Sequence, residues 1–598
     1  MTRLPKVVSA LSFLAAAVLW PLPARAQPVG SWVWANPLPQ GDSLHQVRFL
    51  DDGFVAVGGA GRILVGGPLG TGWTVRHSGV VEPLHDVAWS GFVYAAVGDS
   101  GRILTSPDTL TWTPQTSGTG LRLRGVTWDG SQFVAVGDNG KVLTSPDGTE
   151  WVPRVSNTTS SLGAVTRGGA LLAAVGDNGT IVTSPDGTVW TVRSSGITHN
   201  FTGIAWSGAR FVASAFTPLP PEIEKGFFVR SDDGISWTPQ SMPGHLPSDV
   251  TWTGGEFKAV GRRVQSSVVV TLSSPDGVAW TEGPLKGMFT PAGIAWSGSA
   301  FAVVGELGRI MSSLDGVVWN PRSRGPRNDL RALAWSGQRY VAVGNAKHVL
   351  TSTNGVLWTR HPLGADEYLS ALAWGNGKFV ALGSLGVVMT SPDGLTWTQH
   401  ASLPVNNFND LIFNGTKFVG VGHTVNNGVI VTSTDGVNWT IVNTPLPVMA
   451  VAWNGFMHVA VGALGSVLTS PNAVTWTPQS SGTTELLDGI TFCSACAGGS
   501  PFFVAVGYGN PATILISGEG VFWFPVNSGT NLPLLDVAYN GEFIAVGQSG
   551  VVLKSSDGVG RWTRDDWATE STLHDIDAFS VGGPFFAVGD WGTLVRQD

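Results

Sequence analysis

The sequence predicts an all-β chain made of a repeated four-stranded unit, and three observations support this prediction. The 598 residues include 80 Gly and 26 Trp, whereas only 13% are charged. Many glycines and aromatics with few charges are typical of short strands joined by tight turns, not of disorder. A Ser-Pro-Asp-Gly-Thr-Glu-Trp box at 145–151 recurs along the chain, and eight of the intervals between its closing tryptophans are 39 residues long.

Each unit is predicted to hold four antiparallel strands, A to D. In one unit, residues 123–128 alternate and predict strand A, 133–136 are apolar on both faces and predict strand B, and 141–145 predict strand C. The box then leads into strand D at 151–154, where Pro153 suits only an edge strand. Four such strands, from innermost to outermost, form one blade of a β-propeller.

The box itself is predicted to be structural. Its Pro presets φ, its Asp can accept backbone N–H bonds and its Gly tolerates positive φ. Trp151 is expected to bury against the next blade, which makes these indoles a main source of cohesion. Asn354, Asn472 and Glu519 replace the Asp in three copies, and a shared catalytic role would not tolerate that drift. The box carboxylates with this predicted role are Asp108, Asp147, Asp186, Asp233, Asp276, Asp315, Asp393, Asp435 and Asp557.

The closing tryptophans predict 14 four-stranded blades. The chain ends after three strands with no closing Trp, whereas Trp34 closes a lone N-terminal strand. We therefore expect residues 27–37 to supply the closing strand of the second propeller. Because propellers usually have about four to eight blades, we predict two seven-bladed rings, 38–322 and 323–598. A single large ring or an open array is the alternative.

The box resembles a shortened Asp-box, the S-x-D-x-G-x-T-W hairpin of the BNR-repeat propellers, and the copies at 184–190 and 433–439 show it well. Together with A-W-S-G and F-V-A-V-G, it is most similar to secreted bacterial repeats of the sialidase-like and photosystem II assembly-factor-like group. The resemblance covers nearly the whole chain and implies fold more strongly than function. It also implies that ligands bind on the face of the D–A and B–C loops, away from the boxes.

That face carries the predicted binding residues, in B–C turns and at the starts of strands A. Such a channel mouth can bind an anion, a sugar or a cation, although Asp is also simply a good turn former. Sialidase chemistry is poorly supported, because Arg62-Ile63-Leu64 and Arg102-Ile103-Leu104 lack the Pro of the sialidase Arg-Ile-Pro motif. No catalytic residue, metal site or cofactor is predicted. The binding candidates are Asp99, Asp138, Asp177, Glu306, Asp590, Arg102, Arg124, Arg331, His85 and His574.

The N-terminus predicts a signal peptide at 1–26. Arg3 and Lys6 precede an apolar run at 7–20 that is short for a membrane span, and Ala24-Arg25-Ala26 predicts cleavage before Gln27. The chain is therefore expected to be secreted, to the periplasm or beyond the cell. No later stretch is apolar for long enough to cross a bilayer, and a net charge of −8 gives no case for a nucleic-acid partner.

The chain has two cysteines, Cys493 and Cys496. In a secreted chain they predict a local disulfide or inert thiols. A redox pair would normally open a helix, and a zinc site would need two more ligands nearby.

Three functions stay open. A secreted, non-enzymatic binding scaffold that recognises protein or glycan through the loop face is favoured, because most polar positions are repeated slots whereas an active site should break the repeat. The alternatives are a polysaccharide-active glycoside hydrolase or lyase, and an envelope or membrane-complex assembly factor. Insertions at 217–225, 262–270, 423–427 and 508–512 lengthen B–C loops, where propellers often place function.

Overall fold

The computed structural model describes residues 32–597 except 39, 217–224, 265, 267, 324–328, 346–347, 364–367, 495, 497–499, 566, 568 and 580–582. The predicted signal peptide at 1–26 lies outside the described residues, as does most of the predicted insertion at 217–225.

The described strands form 14 four-stranded antiparallel sheets, each a blade. The all-β propeller prediction is therefore confirmed. Blades 1–7 are built, in the order A to D, from β2 Leu44–Leu50, β3 Gly53–Gly58, β4 Ile63–Gly66, β5 Thr74–Arg76; β6 Leu84–Trp89, β7 Tyr94–Gly98, β8 Ile103–Ser106, β9 Thr113–Gln115; β10 Leu123–Trp128, β11 Phe133–Gly137, β12 Val142–Ser145, β13 Val152–Arg154; β14 Leu162–Gly168, β15 Leu171–Gly176, β16 Ile181–Ser184, β17 Thr191–Arg193; β18 Asn200–Trp206, β19 Phe211–Phe216, β20 Gly226–Ser231, β21 Thr238–Met242; β22 His245–Trp252, β23 Phe257–Arg263, β24 Val268–Ser274, β25 Thr281–Met288; and β26 Pro291–Trp296, β27 Phe301–Gly305, β28 Arg309–Ser313, β29 Asn320–Pro321.

Blades 8–14 repeat the pattern, and the first strand of the chain serves as strand D of the last blade. Their strands are β30 Leu330–Trp335, β31 Tyr340–Gly344, β32 His348–Ser352, β33 Thr359–Pro362; β34 Leu369–Gly375, β35 Lys378–Gly383, β36 Val388–Ser391, β37 Thr398–Gln399; β38 Asn407–Phe413, β39 Phe418–His423, β40 Gly428–Ser433, β41 Thr440–Thr444; β42 Val448–Trp453, β43 His458–Gly462, β44 Ser466–Ser470, β45 Thr477–Ser480; β46 Leu487–Cys493, β47 Phe502–Gly507, β48 Thr513–Ser517, β49 Phe524–Asn527; β50 Leu534–Tyr539, β51 Phe543–Gly547, β52 Val552–Ser555, β53 Thr563–Arg564; and β54 Leu573–Ala578, β55 Phe585–Gly589, β56 Leu594–Gln597, β1 Trp32–Asn36.

Many B–C connections are single 3-10 turns. These turns are Gly59–Gly61, Asp99–Gly101, Asp138–Gly140, Asp177–Gly179, Glu306–Gly308, Ser384–Gly386, Ala463–Gly465, Gln548–Gly550 and Asp590–Gly592.

The innermost strands close two separate rings of seven blades. Strands A of successive blades contact one another, and β2 of blade 1 also contacts β26 of blade 7. In the second ring β30 of blade 8 contacts β54 of blade 14. Strand β1 pairs antiparallel with β56, with Trp34 opposite Val595, so the N-terminal strand completes the last blade as predicted. The chain therefore passes from one ring to the other twice, between Asn36 and Leu44 and between Pro321 and Leu330.

The box closes its hairpin with a compact hydrogen-bond network. In the copy at 145–151, Gly148 has a φ of +84° and donates its N–H to Ser145 Oγ at 2.8 Å. Thr149 N–H donates to Asp147 Oδ1 at 2.9 Å, and Trp151 Nε1 donates to the Gly148 carbonyl at 2.8 Å. Asn354 accepts the equivalent backbone bond through its Oδ1 at 2.9 Å, which explains why Asn can replace Asp.

The box indoles pack on the preceding blade, so the prediction that they bury against the next blade is wrong. Trp151 shares a buried cluster with Phe133 of its own blade and with Ala88 and Val97 of blade 2. Strand alternation puts Trp151 on the sheet face that Phe133 occupies, and that face meets blade 2. The box turn also packs on blade 2, because a Cβ at Gly148 would lie 3.0 Å from the side chain of Thr105 in that blade.

Candidate functional site

The two ends of each blade carry different structures. At one end, the D–A loop packs under the B–C turn. In blade 2, Gly101 of the B–C turn lies so close to the Thr119 carbonyl of the following D–A loop that any Cβ there would collide with it. At the other end, A–B turns meet the boxes: Gln132 Nε2 donates to the Asp186 carbonyl of the next blade's box at 2.7 Å. We call these ends the loop face and the box face.

On the loop face of the first ring, six charged or titratable side chains form two neighbouring ion-pair groups across blades 2–4. We call His85, Asp99, Arg122, Arg124, Asp138 and Asp177 the first-ring arc. In the first group, His85 Nε2 lies 2.7 Å from Asp99 Oδ1, and Arg122 Nε donates to the same oxygen at 2.5 Å. In the second group, Arg124 Nε lies 2.6 Å from Asp138 Oδ1, and its Nη1 lies 3.6 Å from Asp177 Oδ2. The backbone joins the groups, since Asp138 N–H donates to the Arg122 carbonyl at 2.9 Å. The structure thus places two predicted binding residues in the first group and three in the second.

The arc is charged and partly open to solvent. Its side chains keep between 19% and 45% of their surface exposed. Burial alone would raise the pKa of Asp99, but hydrogen bonding and charge from His85 and Arg122 outweigh it and lower that pKa. Burial lowers the pKa of His85, against the attraction of Asp99. At neutral pH the arc therefore presents an ionised Asp99 beside Arg122.

A second group of charged side chains lies on the loop face of the second ring, where blade 14 meets blade 8. His574 Nε2 lies 2.6 Å from Asp590 Oδ1, and Arg331 Nη1 lies 3.0 Å from His574 Nδ1. Arg331 also lies 3.6 Å from Asp329, and its guanidinium is 5.9 Å from the centre of the Tyr368 ring. Burial would raise the pKa of Asp590, but the hydrogen bond and charge of His574 and the charge of Arg331 lower it.

Two predicted binding residues join neither group. Arg102 pairs with Glu82 at 2.5 Å, and Glu306 is exposed on its turn in blade 7. A disulfide joins the predicted cysteine pair Cys493 and Cys496, and both residues are buried.

A set of aspartates on the innermost strands was not predicted from the sequence. Each is the first paired residue after the register shift in strand A and bridges two blades. Asp86 Oδ1 accepts its own neighbour's N–H, from Val87, at 2.9 Å, and Oδ2 accepts from Val126 of blade 3 at 3.1 Å. In most other blades a small residue such as Gly125 follows the register shift. An Asp at this position was therefore the sequence signal that could have identified the set. The set is Asp86, Asp249, Asp410, Asp536 and Asp575.

The two rings differ in the charged groups around these aspartates. In the first ring, Arg48 Nε and Nη2 donate to the two Asp86 carboxylate oxygens at 3.0 and 3.1 Å. Burial alone would lower the pKa of Arg48, but the charge of Asp86 raises it. Burial raises the pKa of Asp249 to about 6.

The innermost strands of the second ring gather carboxyl groups instead. Burial raises the pKa of Asp410 and Asp577 to about 6 and that of Asp536 to about 8. Asp536 and Asp575 hydrogen-bond to each other, and burial with the charge of Asp536 holds the pKa of Asp575 well above its usual range. This pair of carboxyl groups therefore stays protonated at neutral pH.

The stability of the second ring is expected to fall as pH rises from about 4 to about 8. An unfolded Asp loses its proton near pH 3.9, whereas Asp410 and Asp577 hold theirs to about 6 and Asp536 to about 8. Folding therefore takes up protons in this window, and raising the pH opposes it. Melting temperatures measured between pH 4 and 8 test this, and Asp536→Asn should flatten the decline.

Asp435→Asn is the matched control for that series. Backbone N–H bonds from Asn438 and Val437 lower the pKa of this box carboxyl, so its contribution is lost only as pH falls below the window. The control should leave the decline from pH 4 to 8 intact. A flat wild-type profile, or equal slopes for Asp536→Asn and wild type, would contradict the assignment.

The described residues contain no group of three or more His, Cys, Asp or Glu arranged to hold a metal ion. Over the same residues, no helix has both the length and the apolar character needed to cross a membrane.

Comparisons with known proteins agree with the fold. Residues 315–454 match a family model described as the DUF6242 beta propeller domain. A crystal structure of the GH74 enzyme of Niastella koreensis superposes with a TM-score of 0.61 at 13% identity, covering 96% of this chain and 99% of that one. No curated protein matches the chain.

Two smaller structures match about half of the chain. YCF48 bound to a D1 peptide has a TM-score of 0.39 at 20% identity, covering 46% of this chain and 92% of that one. YCF48 from Cyanidioschyzon merolae has a TM-score of 0.37 at 20% identity, covering 46% and 96%. What the comparisons establish is the fold: the chain is a β-propeller protein similar in overall architecture to a GH74 enzyme.

Proposed function

We propose that the protein is a non-enzymatic binding scaffold that holds a charged protein or glycan ligand on its loop face, chiefly through the first-ring arc. The observation that carries the proposal is that two ion-pair groups lie side by side on the loop face of blades 2–4, from His85 to Asp177. Exposed ion pairs add only about 0–1 kcal/mol each to stability, so folding alone gives little reason for these groups. Partly exposed charges at a channel mouth do suit ligand recognition.

The difference between the box face and the loop face supports the loop face as the binding surface. The carboxylate oxygens of the box aspartates accept hydrogen bonds from within their own turns, as those of Asp147 do from Thr149. By resemblance, these turns are the Asp-boxes of the BNR-repeat propellers. The loop-face carboxylates of the arc instead pair with side chains outside their own turns, as Asp99 does with Arg122 of the next blade.

Hydrolase chemistry has weaker support. A glycosidase uses two carboxyl groups about 5–9.5 Å apart, whereas Asp536 and Asp575 hydrogen-bond directly to each other. Each also accepts a backbone N–H from the neighbouring blade: Asp536 from Ile576 and Asp575 from Leu333, both at 2.9 Å. This pair therefore suits ring closure better than acid–base catalysis.

The proposal is tested by binding to glycan and peptide arrays, with Arg124→Ala as the probing variant and Arg210→Ala as its control. Both arginines form ion pairs and keep 30% and 28% of their side chains exposed, but Arg210 lies on the box face with Asp232. Arg124→Ala should weaken ligand binding at least tenfold, because charge-assisted bonds contribute about 1.5–3 kcal/mol. Equal effects of the two variants would contradict the proposal.

The class of ligand that the purified protein binds, and any hydrolysis of that ligand, distinguish the alternative functions. A peptide ligand would favour the assembly-factor function, and a glycan ligand would favour a glycan-binding scaffold. Sustained hydrolysis of polysaccharides or sialosides that is lost in Asp99→Asn or Glu306→Gln would overturn the non-enzymatic proposal.

We also propose that the mature protein is secreted. The predicted signal peptide at 1–26 supports this, and so does the disulfide, since disulfides persist in oxidising compartments. N-terminal sequencing of protein recovered outside the cytoplasm should begin at Gln27. A chain that keeps Met1 would contradict the prediction.

A further inference from the structure

The B–C turns of the second ring carry exposed apolar side chains at their tips. Leu385 is 78% exposed, Val425 80%, Leu464 66% and Trp591 50%. They belong to blades 9, 10, 11 and 14. Because blade 14 contacts blade 8 where the ring closes, the four residues fall within five consecutive blades of the loop face. We call these four residues the apolar tips.

Three of the apolar tips have a backbone conformation that disfavours bulky side chains. All nine described 3-10 turns place their middle residue at positive φ, with φ at +56° for Leu385, +53° for Leu464 and +57° for Trp591. Bulky residues rarely adopt this conformation, whereas Asn tolerates it. Asn139 and Asn178 occupy the same slot in the first ring, at φ of +55° and +56°. The turn therefore forms with better-suited residues, and folding gives no reason for an exposed leucine or indole there.

Exposure alone does not single out the apolar tips. The box turns also expose aliphatic side chains, such as Leu314 and Leu357, but neither of these has a positive φ. In the first ring, the middle residue of the 3-10 turns is Ala, Ser or Asn except at Leu307, which is only partly exposed. Among the described 3-10 turns, a strained backbone and a highly exposed apolar side chain thus occur together only in the second ring.

The turns around the apolar tips carry little charge. Three of them contain no charged residue, at 384–386, 424–427 and 463–465. Trp591 follows Asp590, whose charge already pairs with His574 at 2.6 Å. In the first ring, by contrast, four of the five described 3-10 turns begin with Asp or Glu. This part of the second ring therefore suits a partner whose surface is neutral overall.

The repeat sets the shape of the surface that the apolar tips form. Equivalent turns of a propeller ring lie at similar heights along its axis, because every blade repeats the same strand order around that axis. The tips consequently end near one plane instead of lining a groove. A protein partner would need a separate apolar pocket for each tip, whereas a bilayer accepts them all at once.

The residue types also match a lipid surface. Leucine and valine side chains are stabilised at the boundary of the acyl chains, and indoles favour the level of the headgroups. We propose that the second ring docks on a bilayer with zwitterionic headgroups by inserting the apolar tips. This contact is separate from the ligand proposed for the first-ring arc and does not depend on it.

Flotation of the mature chain, from Gln27, with phosphatidylcholine vesicles tests the proposal. The mature chain is used because the apolar run at 7–20 would itself enter lipid. Binding is expected, and Leu385→Asn combined with Leu464→Asn should lower the partition coefficient at least tenfold. The same double variant should keep or raise the melting temperature, because Asn suits the positive φ of these turns. Loss of binding would then not result from loss of the fold.

Leu314→Asn combined with Leu357→Asn is the matched control. These leucines are 66% and 69% exposed, on box turns, and their replacement should leave the partition coefficient unchanged. Arg124→Ala should also leave it unchanged, which separates vesicle binding from ligand binding at the first-ring arc.

Several results would overturn the inference. These are the absence of flotation at millimolar phosphatidylcholine, equal losses in the two double variants, or flotation only with phosphatidylglycerol vesicles that high salt abolishes. A lower melting temperature of the Leu385→Asn and Leu464→Asn variant would remove the argument from backbone strain, and with it the inference. A dimer in analytical ultracentrifugation that dissociates in this variant would assign the apolar tips to a second copy of the chain.

Discussion

Replacing Asp42 by Ala is expected to lower the free energy of unfolding by about 3–5 kcal/mol, the usual cost of breaking a buried ion pair. Asp42 is 1% exposed and lies on the first crossing between the rings. Its Oδ2 accepts from Arg62 Nε at 2.5 Å, within the first ring. Its Oδ1 accepts from Thr569 Oγ1 at 2.5 Å and Glu570 N–H at 2.7 Å, in the second ring. One carboxylate thus joins both rings.

Differential scanning calorimetry with Asp147→Ala as control measures this effect. Asp147 also accepts several hydrogen bonds, but it is exposed and all of its partners lie in its own turn. The control should cost much less, because water can replace those bonds. Similar losses for the two variants would show that Asp42 does not connect the rings.

Replacing Trp190 by Ala is expected to cost about 3–5 kcal/mol, the range for deleting a large buried aromatic side chain. Trp190 is 1% exposed and packs on Val134 and Val136 of blade 3 as well as on its own blade. Its Nε1 donates to the Gly187 carbonyl at 2.9 Å. The variant loses apolar contact between two blades and leaves a carbonyl without its donor.

Equilibrium urea unfolding tests the contribution of the indole. Trp591→Ala is the control, because Trp591 is 50% exposed on a B–C turn, and it should change stability by no more than about 0.5 kcal/mol. Trp190→Phe should lie between the two, since it keeps much of the apolar contact and loses the hydrogen bond. Equal stability of the two alanine variants would contradict a structural role for the closing tryptophans.

The repeated parts of this fold were predictable from sequence because each blade repeats the same turn residues and strand pattern. The turn residues of the box fix a hairpin, and its regular spacing counts the blades. Trp34, displaced to the N-terminus, was enough to predict how the second ring closes, and the pairing of Trp34 with Val595 confirms it. The direction of indole packing was not predictable in this way, since it depends on which sheet face meets which neighbour.

The candidate sites were less predictable, because they depend on residues far apart in sequence. His85, Asp99 and Arg124 could be assigned to the loop face from their slots, but not their partner Arg122. Asp42 and Glu570 are 528 residues apart, in loops that follow no repeat. The pairing of Asp536 with Asp575 depends on ring curvature, which no local pattern encodes.

Hydrogen–deuterium exchange with and without a ligand found on the arrays tests most directly whether the loop face is the functional surface. Slower exchange is expected in the loop-face segments 83–102 and 119–141, which carry most of the first-ring arc. No change is expected in the box turns at 106–112, 145–151 and 184–190. Protection confined to those box turns, with the loop-face segments unchanged, would rule out binding on the loop face.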